Sequence, residues 1–216
     1  MDILLVSATK FEVQPTLQLL EKEGFKLNGH TIDILITGVG MVSTTYNLTI
    51  NLTGKKYGLI LQAGIGGTFN QHLFLGETVL IKQDAFGDIG MEEKENFTTV
   101  FDAGFAGKDD FPFTDGWLVN NSTLLNNSFL KKVSSVTVNK VSDSLLQRQQ
   151  CIQQFSPQVE SMEGAAFHYV CLQQKTNFIQ LRSISNAVGE RDKSKWWIKD
   201  ALVNLNIELE KLILQL

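Results

Sequence analysis

The sequence has no basic excess, no apolar run of membrane-spanning length, no basic stretch at its start, and few cysteines or arginines. Each shortage excludes a class of function. Nineteen basic against 23 acidic side chains leave a net charge of −4, whereas a protein that gains affinity by neutralising phosphates carries a basic surplus or a basic run. No nucleic-acid partner is expected. A helical membrane span needs about 20 consecutive apolar residues, and no run reaches that length, so no membrane partner is expected either. The opening Met1-Asp2-Ile3-Leu4-Leu5-Val6-Ser7 has an acid where a secretory signal carries a basic segment. The two cysteines, Cys151 and Cys171, form neither a metal-ligand spacing nor a disulfide framework, which suits a reducing compartment. A cytoplasmic protein without metal or cofactor is expected.

Apolar residues are spread throughout. Of 216 residues 43% are hydrophobic and 19% charged, enough for one core and so for one domain over 1–216. Residues 2–7 form a short Ile/Leu/Val run, the pattern of a buried strand. Val13, Leu17 and Leu20 share a helical stripe that Gly24 stops. Strand-like Thr31 to Thr37 ends at Gly38-Val39-Gly40, and a helix is expected over Met41 to Leu52. Apolar Gly58 to Ala63 runs into a glycine turn, Gly64-Ile65-Gly66-Gly67. Glu77 to Ala85, Val133 to Val138 and Phe178 to Ile184 read as strands, with a strand entry at Val159. Helices are expected over Ser144 to Phe155, Gly164 to Gln174 and Trp196 to Leu216. Strands alternating with helices, with glycines at strand ends, predict an α/β domain around a largely parallel sheet. From Phe86 to about Trp117 no period holds. Such a segment is either a lid or binding loop, or a surface excursion or subunit contact.

Four clusters of residues carry chemistry. Gly38-Val39-Gly40-Met41-Val42-Ser43 follows a strand and opens a helix, as a dinucleotide fingerprint does. Ser43 replaces the third glycine, and the next strand end, Gln62-Ala63, lacks the acid that would hold a ribose. A tight turn with amides facing a ligand fits better. Glu12 lies just after the first strand, where α/β sheets place their sites. Thr9-Lys10-Phe11-Glu12 also has the spacing of a capping box, which spacing alone favours over catalysis. Glu160 and Glu163 flank a helix start, where the helix dipole stabilises acids; paired acids also accept hydrogen bonds from the hydroxyls of a sugar. Arg182-Ser183-Ile184-Ser185-Asn186 ends the last buried strand, leaving Asn186 as a ligand-facing amide or a turn residue.

Taken in order and spacing, Glu12 after Ala8-Thr9, Gly38-x-Gly40, Gly64-x-Gly66-Gly67, Met162-Glu163 and Arg182-x-Ile184-Ser185-Asn186 resemble the purine nucleoside phosphorylase and nucleosidase superfamily, in its hydrolytic branch. The resemblance spans nearly the whole chain. Three further stretches look like the futalosine hydrolase family of the menaquinone pathway: Phe86-Gly87-Asp88-Ile89-Gly90-Met91-Glu92, Glu160 to Ala166, and Ser185-Asn186 followed by Arg191-Asp192-x-Ser194-x-Trp196. The fold implied is a single-domain α/β sandwich around a mixed, partly closed central sheet. The activity implied is N-glycosidic hydrolysis of a purine nucleoside, releasing hypoxanthine from futalosine, with adenine release from methylthioadenosine or adenosylhomocysteine as the rival and a non-catalytic ligand-binding member behind it.

By that resemblance Glu12 activates water, Glu163 accepts from the ribose 2′- and 3′-hydroxyls, Met162 packs on the sugar face and Asn186 faces the base. The Gly64, Ile65 and Gly66 turn holds the sugar side, and Val141 and Ser142 line the base pocket. Asn186 is expected to favour a 6-oxopurine, because its amide can donate to the carbonyl. The 86–117 segment, with Trp196 and Trp197, is expected to enclose an aromatic 5′ substituent whose carboxylate meets Arg191, Lys193 or Lys195. Phosphorolysis needs cations around a phosphate. The only arginines are Arg148, Arg182 and Arg191, and none adjoins Gly38-Val39-Gly40 or the turn from Gln62 to Gly67. Water is the expected acceptor, although Lys10 and Lys82 could substitute for arginine. A small nucleoside is the expected partner, and homo-oligomers are usual in the superfamily.

Overall fold

The structure is a computed structural model that describes residues 1–216, apart from the side chain of Asn127. The strands and helices, in chain order, are β1 (Asp2–Ser7), α1 (Gln14–Lys22), β2 (Lys26–Leu27), β3 (His30–Ile36), α2 (Met41–Gly54), β4 (Leu59–Thr68), β5 (Thr78–Phe86), β6 (Gly90–Glu93), β7 (Asn96–Thr99), β8 (Leu118–Val119), β9 (Lys132–Thr137), α3 (Leu145–Phe155), β10 (Val159–Ser161), α4 (Gly164–Gln173), β11 (Phe178–Ala187) and α5 (Ile198–Leu214). Nine strands form one mixed sheet in the order β10-β9-β5-β11-β4-β1-β3-β2, with β8 beside β5. Strand β10 also pairs antiparallel with β4, through Val159 with Thr68 and Glu160 with Gly67. That pairing closes β4, β11, β5, β9 and β10 into a five-stranded ring. The expected mixed, partly closed α/β sandwich is what forms.

Strand alternation explains why the central strands carry little but apolar residues. Ile3 and Leu5 of β1, Leu59 and Leu61 of β4, and Ile179 and Leu181 of β11 face one side, against Leu205 and Leu209 of α5. Leu4, Val6, Ile60 and Phe178 face the other, against Leu48 of α2 and Phe167 and Val170 of α4. Each strand is buried on both faces, so no polar alternation survives. Fully burying one such side chain contributes about 1.5–3 kcal/mol. Packing of this kind keeps α2 helical despite its β-branched residues.

One expectation needs correction and one alternative falls away. Gly64 to Gly67 is not a turn, because β4 continues through it to Thr68. Glycines sit there because neighbours press close on the strand: a methyl group on Gly66 would lie 2.9 Å from the Glu160 carbonyl oxygen. Asn186 is likewise no turn residue but lies within β11, just past an irregularity in the pairing between Ile184 and Asn186. The irregular middle segment contains a small antiparallel hairpin, β6 with β7. Phe86, Phe101 and Phe113 of the segment pack together and on α4, with ring centroids of Phe101–Phe113 at 5.1 Å and Phe113–Tyr169 at 6.1 Å.

Gly66→Ala tests the closure. The obstructing atom is backbone and cannot swing away, so the urea midpoint should fall by the equivalent of about 1–3 kcal/mol, the usual cost of overpacking. A variant as stable as the parent would show that β10 does not approach β4 this closely.

Candidate active site

The carboxyl ends of β1, β3, β4 and β11 open into one cleft of about 280 Å³, where open α/β sheets bind their ligands. Its walls bring together Glu12, Ile65, Gly66, Val141, Ser142, Met162, Glu163 and Asn186, residues spread over most of the chain. Gly64 is not on the wall. It lies behind, where a methyl group would come 2.5 Å from Arg182 Nη1 and 2.9 Å from Glu12 Oε1. Its task is to let those two side chains approach.

Glu12 is 7% exposed and four donors hold its carboxylate. Oε2 accepts from the Thr9 amide at 3.1 Å, the Thr9 hydroxyl at 3.0 Å and the Ser7 hydroxyl at 3.2 Å. Oε1 accepts from the Ile65 amide at 3.1 Å. The capping box does not form. Helix α1 begins only at Gln14, and the Thr9 hydroxyl donates to Glu12 itself instead of capping a helix amide. Asn206 of α5, unremarked in the sequence, anchors this loop by donating to the Glu12 carbonyl at 2.9 Å while accepting from the Thr16 amide and hydroxyl. A polar residue inside the apolar stripe of Leu202, Leu205 and Leu209 was the available signal.

Glu163 precedes α4 but caps nothing. Its Oε1 accepts from the Gly40 amide at 3.0 Å, and its Oε2 pairs with Arg182 Nη1 at 3.3 Å. The amide at the Gly38–Gly40 turn therefore faces this carboxylate. Gly40 has φ +93°, a conformation that favours glycine. Arg182 is 1% exposed and every guanidinium nitrogen has a protein partner: Nε donates to Gln180, Nη1 to Ile65 and Glu163, and Nη2 to Gln62. Behind it Asp84 accepts from Thr137, Gln180 and the Ala85 amide. Burial raises the Asp84 carboxyl to about 6, against those hydrogen bonds and the nearby Arg182 charge. Glu160, also on the cleft wall, is held by the amide and hydroxyl of Ser142, and burial raises its carboxyl while Ser142 opposes the shift.

On β11 the Asn186 oxygen accepts from the Ser185 hydroxyl at 2.8 Å, and its amide donates to the Ala187 carbonyl. Arg191 and Trp196 stand at one end of the cleft, the guanidinium 5.6 Å from the indole ring centre. Trp197, Lys193 and Lys195 are not on its wall, and Lys195 pairs with Glu190 at 2.9 Å. No residue of the 86–117 segment lines the cleft. The segment's residues instead border a neighbouring cavity of about 210 Å³ that shares only Ser142 with it. Among the described residues, no three His, Cys, Asp or Glu side chains converge as a metal would require.

The family model of the phosphorylase superfamily matches residues 9–215. The chain belongs to this superfamily. Within it, the chain is 29% identical to the futalosine hydrolase of Thermus thermophilus over 97% of its own length and 94% of that relative. The fold is that of two solved members. One is the 5′-methylthioadenosine/S-adenosylhomocysteine nucleosidase of Neisseria meningitidis in complex with methylthio-immucillin-A, with TM-score 0.82, 16% identity, and 100% and 99% of the two chains covered. The other is the futalosine hydrolase of Helicobacter pylori, with TM-score 0.80, 18% identity, and 100% and 98% covered.

The buried Asp84 gives the superfamily fold a pH signature here. Between its unfolded value of 3.8 and about 6, the folded chain holds a proton that the unfolded chain has lost. Stability contributed by this group is therefore greatest at low pH and falls as pH rises through that window. Asp84→Asn cannot titrate, so its urea stability relative to the parent should be higher at pH 8 than at pH 4. A difference independent of pH would remove Asp84 as the titrating group.

Proposed function

We propose that the chain is an N-glycosyl hydrolase that releases hypoxanthine from futalosine, a step of menaquinone biosynthesis. The observation that carries hydrolysis is the state of the cations. Arg182 is wholly engaged by protein groups, and among the described residues Arg191 is the one cation on the cleft wall. A phosphate would need several free forked donors, and Arg191, stacked on Trp196, is a single one, whereas a water needs only a base. Glu12 is that base: as the C1′–N9 bond breaks towards an oxocarbenium-like state, it takes a proton from the attacking water. Glu163 has unused lone pairs beside Gly40 and Arg182 and accepts from the ribose 2′- and 3′-hydroxyls. Met162 packs on the sugar, the Ile65–Gly66 backbone lies along it, and Val141 and Ser142 border the base.

The choice of base and of 5′ group completes the reading. The Asn186 amide donates to a purine 6-carbonyl while its oxygen accepts from a protonated N7. Arg191 over Trp196 suits the aromatic carboxylate of futalosine, since it offers a cation and a flat apolar face together. Likeness to the T. thermophilus futalosine hydrolase along nearly the full chain supports this substrate. Exposed Val39 on the cleft wall and exposed Val42, Tyr46 and Ile50 of α2 suit a homo-oligomer, and the buried free thiols Cys151 and Cys171 suit the cytoplasm.

Base release from futalosine, inosine and methylthioadenosine, each with and without phosphate, tests the proposal. Free hypoxanthine from futalosine at a rate indifferent to phosphate is expected. Adenine as the favoured product supports the rival nucleosidase, and a phosphate requirement overturns hydrolysis. Glu12→Gln removes the base but keeps the side-chain shape, so kcat should fall by roughly 10²- to 10⁴-fold, while the melting temperature falls only modestly, since the new NH2 faces donors such as the Ile65 amide. Near-parental turnover would leave Glu12 a structural role only.

A further inference from the structure

Glu160 takes no part in the steps above, yet it lies buried on the cleft wall. Its Oε1 accepts from the Ser142 amide at 3.1 Å, and its Oε2 accepts from the Ser142 hydroxyl. One residue thus closes on both carboxylate oxygens, and that residue also lines the cleft. A serine hydroxyl has one hydrogen and two lone pairs. With the hydrogen committed to Glu160, Ser142 Oγ has only lone pairs to offer a ligand.

Strand register sets this wall opposite Asn186. Gly67 of β4 pairs with Glu160 of β10 on one side and with Asn186 of β11 on the other. Neighbouring strands lie about 4.8 Å apart, so the two backbones stand two strand spacings apart with only a glycine between them. Ser142, Glu160, Gly67 and Asn186 all line the one cleft, so a planar base lying between Ser142 and Asn186 would meet both. If its O6 and N7 edge meets Asn186, its N1 turns towards Ser142. In a 6-oxopurine N1 carries a hydrogen, whereas in adenine N1 is a bare acceptor.

We propose that Glu160 is a positioning residue for base specificity: it fixes the Ser142 hydroxyl as a hydrogen-bond acceptor for the N1–H of a 6-oxopurine. The proposal rests on the purine nucleosidase reading and adds a second device, beside Asn186, by which the base is chosen.

In Glu160→Gln the side chain keeps its shape and its oxygen still accepts from the Ser142 amide, but its NH2 now donates to Ser142 Oγ. The serine hydrogen is released into the cleft, where it suits adenine N1 and opposes the N1–H of hypoxanthine. The measurement is kcat/KM for futalosine and its 6-amino counterpart, and for inosine and adenosine, in the parent, Glu160→Gln and Ser142→Ala. The parent should prefer the 6-oxo member of each pair. Glu160→Gln should shift that ratio towards the 6-amino member by on the order of tenfold to a hundredfold. Ser142→Ala should shift it less, since it removes an acceptor without supplying a donor. Equal slowing of both members in Glu160→Gln, at an unchanged ratio, makes Glu160 merely structural and overturns the proposal. If the amide variant does not fold, an unchanged ratio in Ser142→Ala overturns it equally. A parent that prefers the 6-amino member overturns the base assignment, and a parent that releases no purine overturns the nucleosidase reading itself.

Discussion

The Arg182 guanidinium lies at the centre of the closed sheet and reaches Gln62, Ile65, Glu163 and Gln180. Taking such a charge out of water costs several kcal/mol, and the cost is offset only when geometry and hydrogen bonding are both good. The fold supplies that geometry through the parallel pairing of β4 and β11, which sets Gln180 opposite Gln62 and Arg182 opposite Gly64. The two glutamines thereby flank the guanidinium. Losing one partner of a buried pair costs about 3–5 kcal/mol, because a charge is left uncompensated. The group that pairs with Glu163 is therefore also a group on which the fold depends.

From this centre the two acids take their places. Glu163 is held between Arg182 and the Gly40 amide, so the turn after β3 and the start of α4 meet at one carboxylate. Glu12 lies across the bare face of Gly64, with the Ile65 amide on one oxygen and Ser7 and Thr9 on the other. Neither carboxylate relies on a flexible cation. Backbone amides and short hydroxyl side chains are fixed by the strands and turns that carry them, so the protein itself holds both acids in place. The closing helix contributes through Asn206, which ties the Glu12 loop to α1.

The aromatic content of the middle segment does different work. Phe86, Phe101, Phe113 and Tyr169 make a cluster of their own, with ring centroids 5.1–6.2 Å apart. Rings in such tilted and edge-on arrangements stabilise each other beyond simple burial. They hold a long excursion onto α4 and away from the cleft. The aromatic surface that does reach the cleft comes from Trp196 and from Phe11, at opposite ends of the sequence.

Periodicity and composition alone determined the α/β class, the strands β1, β3, β5 and β9, and the extents of α1 to α5 to within a few residues, because a strand buried on both faces and a helix with one apolar stripe leave local signatures. The order of motifs further marked Glu12, Glu163 and Asn186, and the family resemblance marked Ser142, all of which line one cleft. Tertiary structure alone decided the rest. Ring closure by β10 and β4 depends on backbone approach between residues about ninety positions apart, so Gly64 to Gly67 looked like a turn when it is strand. The Thr9–Glu12 spacing matched a helix cap, but the Ile65 amide, far along the chain, claims one carboxylate oxygen. Asp84, Gln180 and Gln62 carried no local signal at all. Gln62 and Gln180 face one buried guanidinium and Asp84 stands behind Gln180, and which side chains a buried charge must satisfy is a property of the packed interior, not of any window of sequence.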